Sequence, residues 1–210
     1  MKLAAPRLSP ILVPATLQDL LDGDLEDVQL TDIDATNISS SGLLLSSVRL
    51  DKVQLTAALL ERISARDVVT KHSDLSSTYL AYGALNRTEF DNCRMTGVDL
   101  SQTSLHDVIF RGCKLTMANF RMSDLRRVRF IECHLDEADF LGATLHDVSF
   151  ESCQLEMTSF SQVKAKMLDL RTSEIGGIQG WGSLKGAIID DAQLIAAAPY
   201  LAQQLGLIIR

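Results

Sequence analysis

The chain of 210 residues has little of several residue types, and each shortage narrows the possible folds. Aromatic residues make up only 5%, and there are four prolines and four cysteines. No apolar run approaches the ~18 residues that a membrane-spanning helix requires. The N-terminal stretch MKLAAPRLSPILVPATL is interrupted by Arg7 and by prolines, so it lacks the apolar core of a secretion signal. We therefore expect one substantial domain, located in the cytoplasm, without a membrane span.

The charge of the chain excludes further classes of protein. A charged fraction of 22% is ordinary and argues against wholesale disorder. The net charge of −7 argues against direct nucleic-acid binding by bulk charge.

The scarce residues are placed at regular intervals. All seven phenylalanines lie at multiples of ten, at Phe90, Phe110, Phe120, Phe130, Phe140, Phe150 and Phe160. The four cysteines lie twenty residues apart, at Cys93, Cys113, Cys133 and Cys153. Such regular spacing indicates an internal repeat.

The repeat has a period of five. Every fifth residue from Leu85 to Phe160 is large and apolar, and the residue two positions earlier is small or β-branched through most of this range. This period fits neither a helix nor a flat strand, and favours a coil with short straight sides and a bend in each pentad. The cysteine interval of twenty predicts four pentads per coil, so that identical residues stack and the phenylalanines fill two of four internal columns.

Triplets such as Ala118-Asn119-Phe120, Ala138-Asp139-Phe140 and Ser123-Asp124-Leu125 resemble the unit of the pentapeptide-repeat proteins. The resemblance implies an all-β solenoid, a right-handed quadrilateral β-helix of about eight coils with twenty residues per coil. The pattern is strong over 71–175 and weaker over 23–70. In the weaker part, four central positions are underfilled: Ala35, Ser40, Ala65 and Thr70.

The ends of the repeat predict the domain organisation. We expect residues 1–22 to cap the N-terminal end, residues 23–189 to form the β-helix with a phase slip near 176–182, and residues 190–210 to form a C-terminal cap. In this cap, Asp190-Asp191 should open a helix over 192–198, and Pro199 should begin a second helix over 200–205. A terminal strand is expected over 207–209.

Family members with such C-terminal segments commonly dimerise through them, and the resemblance therefore implies a homodimer. The apolar residues that would form this interface are Tyr200, Leu201, Leu205, Leu207, Ile208 and Ile209.

No pattern in the sequence indicates catalysis. The cysteines form no CxxC pair and are expected to be reduced packing residues rather than metal ligands. His106 and His146 share one corner column and His134 another, without a nucleophile and carboxylate to complete a triad. A filled rod offers no pocket in which the carboxylates could act as acid and base. We therefore predict that the protein is no enzyme and holds no cofactor or metal.

The surface charge is arranged in bands. Acidic residues without Lys or Arg occupy 8–48 and again 130–163, while 87–129 is basic. Arg87, Asp107, Arg127 and Asp147 alternate in sign on one corner and predict a vertical salt-bridge ladder. The second acidic band, a candidate partner-binding surface, contains Glu132, Asp136, Glu137, Asp139, Asp147, Glu151 and Glu156.

Two functions remain open for this band. Several pentapeptide-repeat proteins bind type II topoisomerases as DNA mimics and confer quinolone resistance or toxin immunity. The resemblance thus implies a protein partner such as DNA gyrase or topoisomerase IV, and a loop-free subtype, since no loop interrupts 71–175. The alternative is a generic protein-interaction scaffold with an unrelated partner. Mimicry requires the acids on one continuous face, whereas a band encircling the rod would count against it.

Overall fold

A computed structural model describes residues 3–204 and 206–207. Strands dominate the chain, with one short helix near the N-terminus and one longer helix near the C-terminus. The elements in chain order are β1 (Val13–Pro14), α1 (Leu17–Asp22), β2 (Leu25–Thr31), β3 (Leu44–Asp51), β4 (Ser64–Lys71), β5 (Ala84–Asp91), β6 (Ser104–Arg111), β7 (Asp124–Ile131), β8 (Thr144–Glu151), β9 (Lys164–Asp169) and α2 (Asp191–Gln204).

All nine strands form one parallel sheet in sequence order. From β2 to β9 each residue pairs with the residue twenty positions later, as Phe90 does with Phe110. Isolated parallel bridges repeat the same interval on two other sides, for example from Lys114 to His134 and from Asn119 to Asp139. The register confirms a β-solenoid of twenty residues per coil, with about seven full turns between Leu25 and Ala165.

The corners of the coils have a backbone conformation that the sequence pattern did not reveal. Every non-glycine residue with positive φ has a number ending in 2 or 7, and Arg87 and Asn92 are examples at φ 50° and 52°. Left-handed φ values are uncommon for residues such as Arg or Met. They recur here because each pentad must turn the chain after its large inward residue.

The core consists of the predicted columns. Within a column the phenylalanine rings are parallel, with centroids 4.6 Å apart for Phe120 and Phe140 and 4.7 Å apart for Phe130 and Phe150. Between the two columns the rings meet edge to face, as for Phe120 and Phe130 at 5.8 Å. The edge-to-face geometry is favoured by the ring quadrupole, and the rings from Phe110 to Phe160 are fully buried.

The underfilled coils contain a cavity. Its volume is ≈ 40 Å³, and Ala65, Thr70 and Thr88 line it together with leucines and valines of neighbouring coils. It lies next to Phe90, the first phenylalanine of the columns, where smaller residues occupy the equivalent positions of the earlier coils. The weaker repeat pattern over 23–70 therefore corresponds to looser packing.

The N-terminal segment covers the first coil with one part and lies along the outside of the rod with another. Residues 13–22 cover the first coil: β1 pairs with β2, and Leu20 of α1 is buried in the core. Helix α1 begins with a capping box in which Thr16 and Asp19 bond to each other's backbone N–H. Residues 3–9, which were expected to belong to the end cap, instead lie along the outside of the rod.

At the C-terminal end, the phase of the repeat changes between Gln179 and Ile188, which overlaps the predicted range 176–182. Ser159 still pairs with Gln179 twenty residues on, whereas Asp169 pairs with Ile188 nineteen residues on. The last coil is therefore one residue shorter than the others, and the shortening lies around the 3₁₀ turn Trp181–Ser183.

The prediction of two helices separated at Pro199 was wrong, because a single helix, α2, occupies this part of the chain. It is continuous from Asp191 to Gln204 with Pro199 inside it. Ala198 has no side-chain oxygen with which to cap a second helix, so interrupting the chain there would leave several amides unsatisfied. Ile195, whose carbonyl loses the helical bond to proline, is 76% exposed, so water can reach this turn.

Helix α2 closes the solenoid through one buried polar residue. The Nε2 group of Gln193 donates to the carbonyls of Leu170 and Ser173, both at 2.6 Å. Asp190 and Gln193 also form a reciprocal capping box at the helix start. These bonds satisfy carbonyls of the last coil, which would otherwise be an open edge.

The remaining C-terminal predictions fall largely outside the described residues. Leu207 lies outside any helix or strand, and Ile208 and Ile209 of the expected terminal strand lie outside the described part of the chain. Neither helix of the described chain is long and apolar enough to cross a membrane.

Candidate protein-interaction surface

Five of the seven acids in the predicted band border one side of the rod. That side carries the column Lys114, His134, Gln154 and Glu174, and its two corners carry the acids of the sixth and seventh coils. We call the following residues the acidic side: Glu132, Asp136, Glu137, Glu151, Glu156 and Glu174.

The carboxylates of the acidic side have no Lys or Arg partner within the described part of the chain. Among residues 3–204 and 206–207, no Lys or Arg forms an ion pair with any of the six. Five of them are exposed and Asp136 is half-buried. Their contacts are neutral: Ser149 Oγ donates to Glu151 at 2.8 Å, and the Glu156 N–H donates to Asp136 at 3.2 Å. The acidic side therefore presents uncompensated negative charge to solvent.

The other two acids of the predicted band do not contribute to this surface. Asp139 lies on the next side of the rod, 3.5 Å from Arg121. Asp147 lies on another corner and is 2.6 Å from Arg129. The band as a whole thus spreads over three corners of the rod, and only the acidic side is a continuous patch.

The patch is short along the axis. In the two preceding coils, the same column carries Arg94 and Lys114. The acidic part extends from His134 to Glu174, two turns, which at the spacing of neighbouring strands is ~10 Å. Any imitation of DNA phosphates by this side is therefore local.

The predicted salt-bridge ladder is a set of separate pairs. Arg87 bonds Asp67 through Nε and Nη2, both at 2.6 Å, and Arg127 bonds Asp107 in the same way at 2.6 and 2.7 Å. Each arginine binds the residue one turn before it. We call this corner, formed by Ser47, Asp67, Arg87, Asp107 and Arg127, the ladder corner.

The pairs of the ladder corner are also better shielded than the sequence suggested. Asp67 and Asp107 are buried, and their bonds are bidentate, which strengthens an ion pair relative to an exposed single contact. The charges of this corner are consequently neutralised and do not add to the acidic side.

The cysteine ladder is part of the core. All four thiols are free and buried. Each Sγ approaches carbonyl oxygens, as Cys113 does those of Phe90 and Arg111 at 3.4 Å. Contacts with the neighbouring thiols together with burial raise the pKa of Cys113 and of Cys153. Thiols that are buried and out of reach of a substrate or a metal are poor nucleophiles and poor metal ligands.

The histidines do not form a catalytic arrangement with a nucleophile. His72 Nδ1 lies 3.0 Å from Asp51, and His134 Nδ1 lies 2.6 Å from Gln154 Oε1. Among the described residues, no group of three or more His, Cys, Asp or Glu side chains is arranged to hold a metal ion.

The predicted dimer interface is only partly described. Tyr200 is 41% exposed, Leu207 is exposed, and Leu201 packs partly against the core. Leu205, Ile208 and Ile209 lie outside the described residues. Two further apolar residues of α2 that the predicted interface did not include, Leu194 and Ile195, are 50% and 76% exposed. Both belong to the first predicted helix, over 192–198, and the predicted interface was limited to residues after Pro199.

The parallel β-solenoid and its five-residue repeat define the class of protein. Two sequence models of one family match: the pentapeptide repeat region over residues 103–179, and the eight-copy pentapeptide repeats over residues 73–112. Together they span about half of the chain. The chain belongs to the pentapeptide-repeat proteins.

Solved structures of several pentapeptide-repeat proteins are similar to this chain. One is trypsin-treated QnrB1, a plasmid-mediated fluoroquinolone resistance protein, at 19% identity and TM-score 0.48, with 89% of this chain and 91% of that one covered. Another is HetL, involved in heterocyst differentiation regulation in Nostoc sp. strain PCC 7120, at 17% identity and TM-score 0.35, with 84% and 98% covered. No curated protein sequence matches.

Proposed function

We propose that the protein is a non-enzymatic protein-binding module of the cytoplasm, and that its acidic side binds the DNA-binding surface of a type II topoisomerase such as DNA gyrase or topoisomerase IV. The observation that carries the proposal is the set of six carboxylates on one side of a narrow rod, none of them paired with Lys or Arg in the described chain. Uncompensated charge of one sign attracts a basic partner and speeds its association.

The biological outcome that we propose is quinolone resistance or toxin immunity, as the resemblance to topoisomerase-binding family members implies. QnrB1 is itself a fluoroquinolone resistance protein. Because the acidic side is short and the preceding coils are basic, the contact with the topoisomerase would be confined to a small part of its DNA channel.

The test is a gyrase supercoiling assay with the purified protein, with and without a quinolone. We expect inhibition of supercoiling, or protection against the drug, at micromolar protein. The variant Glu132→Gln/Glu137→Gln/Glu156→Gln should lose most of the effect. The matched control Glu26→Gln/Asp27→Asn/Asp32→Asn removes the same charge from exposed residues of the first coil and should keep it.

A second candidate is an interaction scaffold for another basic protein. The spread of Asp139 and Asp147 onto other surfaces favours it, because a longer mimic of DNA would need them on the same face. No effect on gyrase or topoisomerase IV at micromolar protein would reject the first proposal. Equal effects of the two triple variants would show that the acidic side is not the contact.

We also propose that the protein is a homodimer through its C-terminal end. The exposed apolar side chains of α2 support this proposal, since Leu194, Ile195 and Tyr200 lie on a helix that otherwise caps the rod. In a two-fold dimer the same residues of both copies meet.

A further inference from the structure

Residues 3–9 bind to the ladder corner as an extended segment. The N–H groups of Ala4, Arg7 and Ser9 donate to Asp107 Oδ1 at 3.1 Å, to Asp67 Oδ1 at 2.9 Å and to Ser47 Oγ at 2.8 Å. The acceptors Ser47 and Asp107 are three turns apart, or ~14 Å at the strand spacing. Five residues of extended chain reach ~17 Å, so the segment must be nearly fully extended.

The rod provides built acceptors for this segment. Ser47, Asp67 and Asp107 are 9%, 9% and 7% exposed, although equivalent corner residues such as Glu132 and Glu137 are exposed. Each carboxylate already accepts two hydrogen bonds from an arginine. The segment's N–H occupies a remaining lone pair of the carboxylate.

The side chains from Ala4 to Leu8 alternate in exposure, and Leu3 and Ser9 at the two ends are half-buried. Ala4, Pro6 and Leu8 are half-buried, whereas Ala5 and Arg7 are exposed. Three side chains of the segment, Ala4, Pro6 and Leu8, are therefore partly covered, while Ala5 and Arg7 between them face solvent. The segment pairs with none of the strands in the described residues, so its bonds can open without breaking the backbone hydrogen bonds of the coils.

We propose that the ladder corner is a binding groove for an extended peptide, that residues 3–9 are its built-in ligand, and that the same segment of a second copy can replace them. Groove and segment are present in every copy, so exchange between copies preserves every contact. The three N–H donors and the alternate apolar side chains define the ligand: an extended peptide with small or apolar residues at every second position.

The first test measures whether the segment is bound in the full-length protein. Amide hydrogen exchange by NMR should be slower by about tenfold or more at Ala4 and Ser9 than in an isolated peptide of residues 1–12, since three hydrogen bonds, each worth a factor of about five, must open together to release the segment. Exchange as fast as in the peptide would overturn the proposal.

The second test frees the groove without altering the rod. In full-length Ala4→Pro/Ser9→Pro, two of the three donors are removed, and the Arg7 amide should lose its protection. A fluorescent peptide of residues 1–12 should then bind this variant saturably, with a Kd at or below about 1 mM, and bind the wild-type protein at least about tenfold more weakly.

Two controls distinguish binding of the peptide in the groove from nonspecific binding elsewhere on the protein. Full-length Ala5→Pro alters the segment at a residue whose N–H donates to no group of the described rod, and should retain the segment and exclude the peptide. A peptide carrying the two proline substitutions should not bind the freed groove. Binding of both peptides alike, or of neither while the segment is shown to be released, would reject the proposal.

Discussion

The guanidinium of Arg127 holds the carboxylate of Asp107, one turn away, with hydrogen bonds of 2.6 and 2.7 Å. The N–H of Ala4 adds a third bond to the same carboxylate. These bonds, the Arg127 bond foremost, outweigh the effect of burial and lower the pKa of Asp107. The pKa of Asp67 is lowered in the same way, first by Arg87 and then by the N–H of Arg7.

A lowered carboxyl pKa predicts a loss of stability in acid. Each such group stabilises the fold fully above its unfolded pKa, ~3.9 for Asp, and the contribution disappears as the pH falls through the lower folded value. Urea unfolding followed by circular dichroism should therefore show Asp107→Asn less stable than wild type at pH 7. The difference should shrink below about pH 4. Asp32→Asn, an exposed residue, is the control, and a difference for Asp107→Asn that stays constant down to pH 2 would contradict the prediction.

The coil register could be predicted from sequence because the spacing of the buried side chains determines it. Phe110, Phe130 and Phe150 lie twenty residues apart, and burying them requires stacking in that register. The path of residues 3–9 could not be predicted, since their bonds to Asp67 and Asp107 are donated by backbone N–H groups that every residue has. Gln193 was missed for a related reason: a polar residue inside a helical stretch gives no indication that its amide caps the last coil.

The acidic side was predicted only in part, because the sequence does not show which acids form ion pairs. The absence of Lys and Arg over 130–163 located the band along the axis, and twenty-residue arithmetic could place each acid on a corner. Which acids are neutralised depends on side-chain reach. Arg121 lies near Asp139 and Arg129 near Asp147, and neither pair follows the twenty-residue interval of the stacked columns.

Phe130 is the residue whose truncation tests the core most directly. Its ring is fully buried between Phe110 and Phe150, with centroids at 4.9 and 4.7 Å, and meets two further rings edge to face. Phe130→Ala should lower the free energy of unfolding by ~3–5 kcal/mol in chemical denaturation. The exposed His134→Ala in the same coil should change it by less than ~0.5 kcal/mol. A loss below ~1 kcal/mol for Phe130→Ala would be inconsistent with a stacked core ring.

The cavity predicts a stabilising substitution. Ala65 lies between Leu45 and Leu85 in one column and lines the cavity of ≈ 40 Å³. Ala65→Leu would complete the leucine column and should raise the free energy of unfolding by ~0.5–2 kcal/mol. The matched control Ala138→Leu enlarges a fully buried residue in the filled part of the rod and should lower it by ~1–3 kcal/mol. Thermal unfolding of both variants checks the prediction, and destabilisation of comparable size in both would contradict it.

Gly180 is required by a close backbone approach as well as by its conformation. Its φ is +83°, and a Cβ there would lie 2.5 Å from the Ser161 nitrogen and 2.6 Å from the Phe160 carbonyl carbon. Gly186 has the same φ with nothing within 4 Å of its Cβ position. Gly186→Ala should therefore cost ~1 kcal/mol of unfolding free energy, and Gly180→Ala clearly more, because backbone must move. Equal costs in urea denaturation would show that the approach of the last two coils is not tight.

The exposed apolar residues of α2 allow the proposed dimer to be tested at two places. Leu194→Asp/Ile195→Asp introduces charge on the helix, where both side chains are at least half exposed, so folding should be preserved while an apolar interface is lost. Leu205→Asp/Ile208→Asp introduces two charges in the tail. Light scattering after size exclusion should give twice 23.0 kDa for the wild type and the monomer mass for at least one variant. Gln203→Glu/Gln204→Glu adds equal charge at exposed polar positions and should remain a dimer. A wild-type mass of one chain, or dimers in both Asp variants, would refute dimerisation through this end.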